Sequence, residues 1–449
     1  MIDVDEAQRI VLAHTGPLPA VELPLAAALY RTLAAPVICE VDYPPFDRSV
    51  MDGYAVRAAD TATTPVTLRV VGQIPAGTQS DRTLQPGEAM QINTGAPIPP
   101  GADAVVRVEN TALASPAIQG TNGKAETRKA ESINKKDTKG VGIQESAQHA
   151  KIPEVSSTNG SQSDGAVVVH GPVRPGEFIT RRGAYARAGQ TVLGTGSILT
   201  PINIGAAAAA GAARVHVRRK PTVAILVTGD ELIDVADKPV GPQIRNSNQY
   251  LMESLVRAAY CEPIVLGVAR DDRIQLRRKI EEGLGSDLLC ITGGVSVGAF
   301  DFVPDVLKEC GAKFGFHKIA IKPGRPTIFA TAPTGSPIFA LPGNPAGAVV
   351  GFHLVVAPAL AALEGRPGVQ PLVRALLRGT LSASGGRRTY QPARIAVNAN
   401  GEFEAHVLSW HGSGDAIGMA DADALIVQAP QSPASRDGDA VMVLLAGRI

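Results

Sequence analysis

Charge of one sign is scarce in this chain: across 449 residues the formal net charge is +1 at pH 7. No global field therefore draws the molecule to nucleic acid or to an anionic membrane. Two short basic clusters, Arg181-Arg182 and Arg218-Arg219-Lys220, are of a size that usually marks a solvated face. Cysteine is rare as well. Cys39, Cys261, Cys290 and Cys310 form no CxxC pair, and Cys261 and Cys290 sit in apolar runs. That pattern argues against a thiolate zinc site or a disulfide framework and for a reducing, cytoplasmic compartment. The histidines show no HxH or HExxH spacing, and no GxSxG or Cys-His signature marks a covalent nucleophile. His317, beside Lys318, is the one histidine worth watching, while Trp410 is expected in a core. No apolar run reaches the roughly 18 residues of a membrane span. The opening MIDVDEAQRIVLAHTG carries acids where a secretory signal needs positive charge.

What is there suits a soluble protein of several domains: 45% hydrophobic residues and 19% charged. The first 35 residues read as two helices, DVDEAQRIVLAHTG and AAALYRTLAA. Short apolar runs punctuated by Gly and Pro follow, such as VTLRVVGQI and GEAMQINTGAPIPPGADAVVRVEN, which predict a small β-rich region. Residues 115–164 have no aromatics and few aliphatics, too little apolar area to offset their ordering entropy, so they read as a disordered insertion splitting a hairpin. Strands then alternate with helices from PTVAILVTG to PIFALPGNP and the long apolar helix AVVGFHLVVAPALAALEG, as in a buried parallel sheet with right-handed crossovers. Asn246 or Ser247 is placed to cap the helix NQYLMESLVRAAY. The last 80 or so residues return to short strands, as in a small β-barrel or sandwich.

In such sheets ligands bind beyond the carboxyl ends of the strands. TGDEL, ARDD, TGGVSVG, IKPGRP and LPGNP would crowd that edge, bringing Asp230, Glu231, Asp271, Asp272 and Asp301 near the cations Lys318, Lys322 and Arg325. Like charges so close need a neutralising cation, and Mg²⁺ commonly takes one or two carboxylates plus substrate phosphate. Gly293 and Gly294 let backbone N–H groups approach a ligand closely. Acids, bases and open amides together suit an anionic, phosphate-bearing ligand with a divalent metal.

Six blocks in order, DRSVMDGYAV, INTGAPIPPGADAVV, ILVTGDEL, ITGGVSVGAFDF, IKPGRP and LPGNP, resemble the molybdopterin molybdenumtransferase family, which includes the gephyrin E-domain. The resemblance covers nearly the whole chain except residues 115–164. It implies a multidomain α/β plus β architecture around a central parallel or mixed α/β molybdopterin-binding domain. The expected parts are residues 1–53 with 171–215, 54–170, 216–366 and 367–449, the last a C-terminal β-barrel. It further implies a homodimer that takes molybdopterin adenylate and molybdate, inserts molybdenum with the help of Mg²⁺ and releases AMP. The adenylyltransferase of the same pathway and apo-molybdoenzymes are the partners it suggests. Asp52 and Thr94 match positions that reach in from the partner subunit, and Glu231, Asp271 and Asp301 match acidic functional positions. Metal would fall to some of Asp52, Glu231, Asp271 and Asp301. Gly293, Gly294, Ser296, Gly298, Lys318, Lys322, Arg325, Pro342, Asn344 and Pro345 match the substrate-binding positions.

Four departures from the family pattern stand out. RRGAYARAG carries Ala184 and Tyr185 where an acidic pair is usual, Ala299 follows the glycine turn, Asn246 stands where an acid is common, and Gly347 where a serine is frequent. Each removes negative charge or a donor, which keeps two further functions open. One is a paralogue that carries molybdopterin without inserting metal efficiently. The other is a scaffold that docks a partner through residues 115–164.

Overall fold

The computed structural model describes residues 1–114, 165–270, 272–295, 302–368 and 371–446. They gather into two compact units, Cys39–Gln190 and Met1–Ile38 with Thr191–Ile449. Residues 115–164 and their expected disorder lie outside the described residues.

The smaller unit is built on a six-stranded sheet in the order Ala104–Arg107, Gly53–Val56, Glu88–Ile92, Val66–Ile74, Gly165–Val169, Thr111–Leu113. Both sheet faces are buried: Tyr54, Val56, Leu68, Val106, Val167 and Val169 pack on one side, and Ala55, Ile74, Met90, Ile92 and Val105 on the other. Gly53 is obligatory here, because a Cβ would stand 1.9 Å from the carbonyl oxygen of Val106 on the next strand. The split hairpin expected between VVRVEN and AVVVHGPV does not form; Gly165–Val169 pairs with Thr111–Leu113 instead. VVRVEN itself pairs elsewhere, against Gly53–Val56.

In the larger unit a six-stranded mixed sheet runs in the order Glu262–Ala269, Thr222–Thr228, Leu288–Thr292, Pro337–Leu341, Ile328–Thr331, Lys313–Phe316. The first four strands are parallel, Ile328–Thr331 runs antiparallel to them, and Lys313–Phe316, antiparallel to Ile328–Thr331, points the same way as the first four. Alternate residues of the central strands enter opposite cores. Val223, Ile225, Leu288 and Cys290 meet the helices Val4–Ala13 and Ser247–Ala258 and the helical run from Pro345, while Ala224, Leu226, Leu289 and Ile291 meet Arg273–Gly283 and Val303–Glu309. Each such aliphatic side chain, fully buried, contributes roughly 1.5–3 kcal/mol. The run Pro345–Leu363 is, against expectation, long and apolar enough to cross a membrane by length alone; 89% of it is buried inside the protein, and it passes through a π-helical segment, Phe352–Val356. It is the core helix of this sheet. Residues 373–445 form a five-stranded barrel closed by pairing of Arg388–Val397 with Ala424–Gln428.

Two further local expectations fail. AAALYRTLAA is not a helix: only Leu25–Ala27 makes a 3₁₀ turn. Tyr30 then takes φ +59°, and Thr32 and Leu33 bridge Ile198 and Val217. Tertiary pairing overrides an alanine-rich helix propensity. HKIAIKPG does not join the parallel sheet either; Ile321–Lys322 pairs with Arg388–Thr389 of the barrel.

Candidate active site

The parallel strands Thr222–Thr228, Leu288–Thr292 and Pro337–Leu341 end at a common edge, where a cleft of about 650 Å³ opens. Its lining includes Thr228, Gly229, Glu231, Asn246, Asn248, Thr292, Gly293, Gly294, Pro342, Asn344 and Pro345. Two glycines shape the floor. Gly293 has φ +90°, and a Cβ there would lie 2.6 Å from the Thr228 carbonyl oxygen; Gly294 has φ +62°, and its Cβ would meet Val303 at 2.7 Å. The LPGNP turn closes against them: Gly293 N donates to Leu341 O at 3.1 Å, and a Cβ on Gly343 would come within 3.5 Å of Gly293 Cα. Gly229, at φ +146°, lets the exposed Glu231 carboxylate fold back over it, with Oε2 2.6 Å from where a Cβ would sit. The helices starting at Ser247 and Pro345 both begin at this cleft, and helix N-termini favour anions.

A second cleft, of about 500 Å³, lies beside the first, with Pro326, Pro342 and Asn344 lining both. It carries three cations, Lys322, Arg325 and Arg387, against Arg245 alone in the first, with Trp410, Ser413 and Gln391. Arg387 is held by donating from Nη1 to Ile321 O at 3.2 Å, and Asn344 Nδ2 donates to Ser413 Oγ at 3.0 Å. Gly347 is packed tightly here, since a Cβ would stand 3.1 Å from Pro342 Cβ and Cγ. A serine, which the family resemblance leads one to expect at that position, has little room in this chain.

The predicted residues thus divide. Glu231, Gly293, Gly294, Pro342, Asn344 and Pro345 come together at the first cleft, and Lys322 and Arg325 at the second. Lys318 lines neither; its carbonyl accepts from Ile2 N at 3.2 Å. Asp230 is exposed, with its carbonyl accepting from Arg270 Nη1 at 2.6 Å. Asp272 caps the helix Arg273–Gly283, accepting from Ile274 N at 2.9 Å. Asp271, Ser296, Gly298, Ala299 and Asp301 lie outside the described residues. In the smaller unit Asp52 and Thr94 do meet: Asp52 Oδ1 accepts from Thr94 N at 2.7 Å and Oγ1 at 3.1 Å. Thr94 stands in a turn closed by Ala96 N donating to Asn93 O, with Gly95 at φ +83°. Sequence reading missed Arg387, Ser413, Asn248 and Thr292, and placed Trp410 in a core where it is half-buried in a cleft wall. His317 stacks on Phe314, centroids 4.5 Å apart.

Two departures gain a physical account. Asn246, 4% exposed, is the cap of Ser247–Ala258 and accepts from Gln249 N at 3.2 Å, so an amide does here what an acid would do. Tyr185 Oη lies 3.5 Å from Arg48 Nη2, and the guanidinium sits 5.4 Å from the ring centroid. The hydrogen bond from Arg48 holds the phenol below its usual range. Asp42, in the same loop region, is held below the ordinary carboxylate range by the Ala188 N–H and by Arg182.

Known proteins agree with this architecture. Three family models match in sequence: MoeA N-terminal region (domain I and II) over residues 2–211, probable molybdopterin binding domain over 224–362, and MoeA C-terminal region (domain IV) over 374–446. A molybdopterin molybdenumtransferase of Nostoc sp. is 35% identical over 90% of this chain and 83% of its own. Molybdopterin molybdenumtransferase 2 of Mycobacterium tuberculosis is 32% identical over 93% and 95%. The crystal structure of the molybdopterin biosynthesis MoeA protein from Pyrococcus horikoshii superposes with a TM-score of 0.76 at 27% identity, over 99% of this chain and all of that one. A glycine-floored cleft beyond the carboxyl ends of a parallel sheet lies where this class of fold places its ligands. The chain belongs to the molybdopterin molybdenumtransferase family.

Proposed function

We infer that this protein is a molybdopterin molybdenumtransferase of molybdenum cofactor biosynthesis, taking molybdopterin adenylate and molybdate and releasing AMP. The observation that carries the reading is the pair of adjoining clefts: a glycine floor with one carboxylate, Glu231, and one guanidinium, Arg245, and a cluster of three cations sharing Pro326, Pro342 and Asn344 with it. The backbone N–H groups around Gly293 and the two helix N-termini suit the phosphate-bearing part of the substrate. Lys322, Arg325 and Arg387 suit molybdate, lysine as a compact point charge and arginine as a fork of donors. Placing one anion in each cleft holds the two reactants side by side, which lowers the barrier by proximity.

Magnesium fits the residues in one respect. Among the described residues no cluster of three or more His, Cys, Asp or Glu could hold a metal ion, while Glu231 alone lines the cleft as an exposed carboxylate. A site with one or two carboxylates completed by substrate phosphate is the mode Mg²⁺ favours. Glu231, with Asp271, Asp301 and Asp52 of the partner subunit in a homodimer, is the proposed set. Bound there, the ion would neutralise phosphoanhydride charge. Asp52 is oriented for such a role by the Thr94 N–H and hydroxyl, which fix one of its oxygens and leave the other free for a ligand. Four free cysteines suit a cytoplasmic setting.

AMP release from molybdopterin adenylate, measured with and without molybdate and Mg²⁺, tests the reading. Molybdate-dependent release that Lys322→Ala and Arg387→Ala each reduce at least tenfold is the expected result. Tight binding without release would instead identify a carrier, a reading favoured by Tyr185 sitting against Arg48 where relatives have an acid. Ala184→Glu with Tyr185→Asp would then be expected to restore release.

A further inference from the structure

Among the described residues lining the first cleft, two buried side-chain atoms have no hydrogen-bond partner. Thr292, fully buried, has no partner for its Oγ1, and Asn248, 7% exposed, has none for its Oδ1. Both residues line the cleft. The orientation of the Asn248 amide is settled by its other end: Nδ2 donates to the Gly343 carbonyl at 2.7 Å, and a flipped amide would set two oxygens against each other. The free atom is therefore an acceptor. Leaving such an atom buried and unpaired costs about 1–3 kcal/mol, and groups of this kind repay the cost when a ligand supplies the missing donor.

The unpaired acceptor discriminates between parts of a ligand. A phosphate or molybdate oxygen, itself an acceptor, is repelled by Asn248 Oδ1. A neutral N–H is attracted, and the surrounding Val227, Leu232, Val295 and Pro326 offer apolar walls to a flat ring. Thr292 can accept from the same ring or donate to it. We propose that Asn248 Oδ1 and Thr292 Oγ1 select the N–H donor edge of a heterocycle carrying an exocyclic amine. This deepens the function proposed above and rests on it. An adenylylated pterin has two rings of that class, and the hydrogen-bond chemistry is shared between them.

The test is equilibrium binding by calorimetry to the full chain, using matched probes. AMP is paired with purine riboside 5′-monophosphate, which lacks the amine, and pterin with lumazine, in which an oxygen replaces the amine. The variants are Thr292→Val, which keeps the shape of the side chain, and Asn248→Leu. The unaltered protein is expected to prefer the amine-bearing member of one pair at least tenfold, which identifies the ring. Each variant is expected to lose most of that preference, while Thr292→Val leaves the thermal midpoint unchanged or higher because it removes an unpaired buried oxygen. If the preference survives in both variants, or if both probes of a pair weaken equally, the two residues only shape the wall and the proposal is overturned. If the unaltered protein binds both members of each pair alike, the assignment fails but the cleft remains a nucleotide or pterin site. If it binds none of the four probes, the reading of the cleft falls together with the assignment. Adding magnesium alone separates a metal role: heat of Mg²⁺ binding lost in Asn248→Leu, with the amine preference intact, also overturns it.

Discussion

At the scale of single residues, the glycine floor and one buried histidine make the sharpest claims. Gly293 combines φ +90° with a Cβ position 2.6 Å from a backbone oxygen, so Gly293→Ala meets both backbone strain and a clash that no rotamer relieves. The expected loss is about 2–4 kcal/mol of unfolding free energy. Gly343→Ala is the control: its nearest neighbour would be at 3.5 Å, an ordinary contact, and it is expected to stay within about 1 kcal/mol. Urea unfolding of the two variants checks this, and equal losses would refute the account. His353, 4% exposed in the π-helical segment, has neither ring nitrogen partnered, and burial pushes its imidazole down to about 4. The unfolded chain binds the proton near pH 6.5 and the native state only near pH 4, so the neutral ring's contribution is complete above pH 6.5. It is lost as pH falls from there toward 4, at about 1.4 kcal/mol per unit. The fall for this one group approaches about 3 kcal/mol. Urea midpoints at pH 7, 5.5 and 4 should show it, and His353→Leu should flatten the profile relative to the unaltered protein. A profile that the substitution leaves unchanged would place the titration elsewhere.

At the scale of elements, what was legible in the sequence follows physical lines. The parallel strands were readable because they are buried on both faces and so run apolar without alternation, as LLCIT and TVAILVT do. Their glycine-rich ends follow from the fold class, which is why Glu231, Gly293 and Pro342 could be assigned to one edge. AAALYRTLAA misled because local propensity carries no information about bridges to Ile198 and Val217, more than 160 residues away in sequence. Arg387 and Trp410 were illegible for a related reason: only closure of the terminal barrel, with Ile321–Lys322 paired to its long strand, brings them to the cationic cleft. Asn248 and Thr292 carry no motif at all, since being unpaired is a property of packing. Capping was legible as a choice between two residues, and the structure selects Asn246. Asn246→Ala should cost about 1 kcal/mol by losing the cap, and Asn246→Asp, which restores the family's acid, should retain it. Chemical unfolding of both variants decides; a destabilised aspartate variant would mean that burial of the charge outweighs the cap.

At the scale of the whole molecule, the functional residues fall into two compact units. Asp52 and Thr94 belong to one, and the two clefts with Glu231, Lys322 and Arg387 to the other. The proposed homodimer makes a testable statement about which chain supplies which residue. Suppose each site takes Asp52 from the partner subunit and Lys322 from its own. A dimer of one Asp52→Ala chain and one Lys322→Ala chain then holds one site with both defects and one with neither. Random mixing of two inactive variants should therefore recover about a quarter of the unaltered rate of molybdate-dependent AMP release, because half the dimers are mixed and one of their two sites is intact. If Asp52 serves its own chain, each site of the mixed dimer carries one defect and no activity returns. Isolating mixed dimers through two different affinity tags removes any doubt about exchange. Recovery would establish a dimeric site, whereas its absence in verified mixed dimers would assign Asp52 to its own chain.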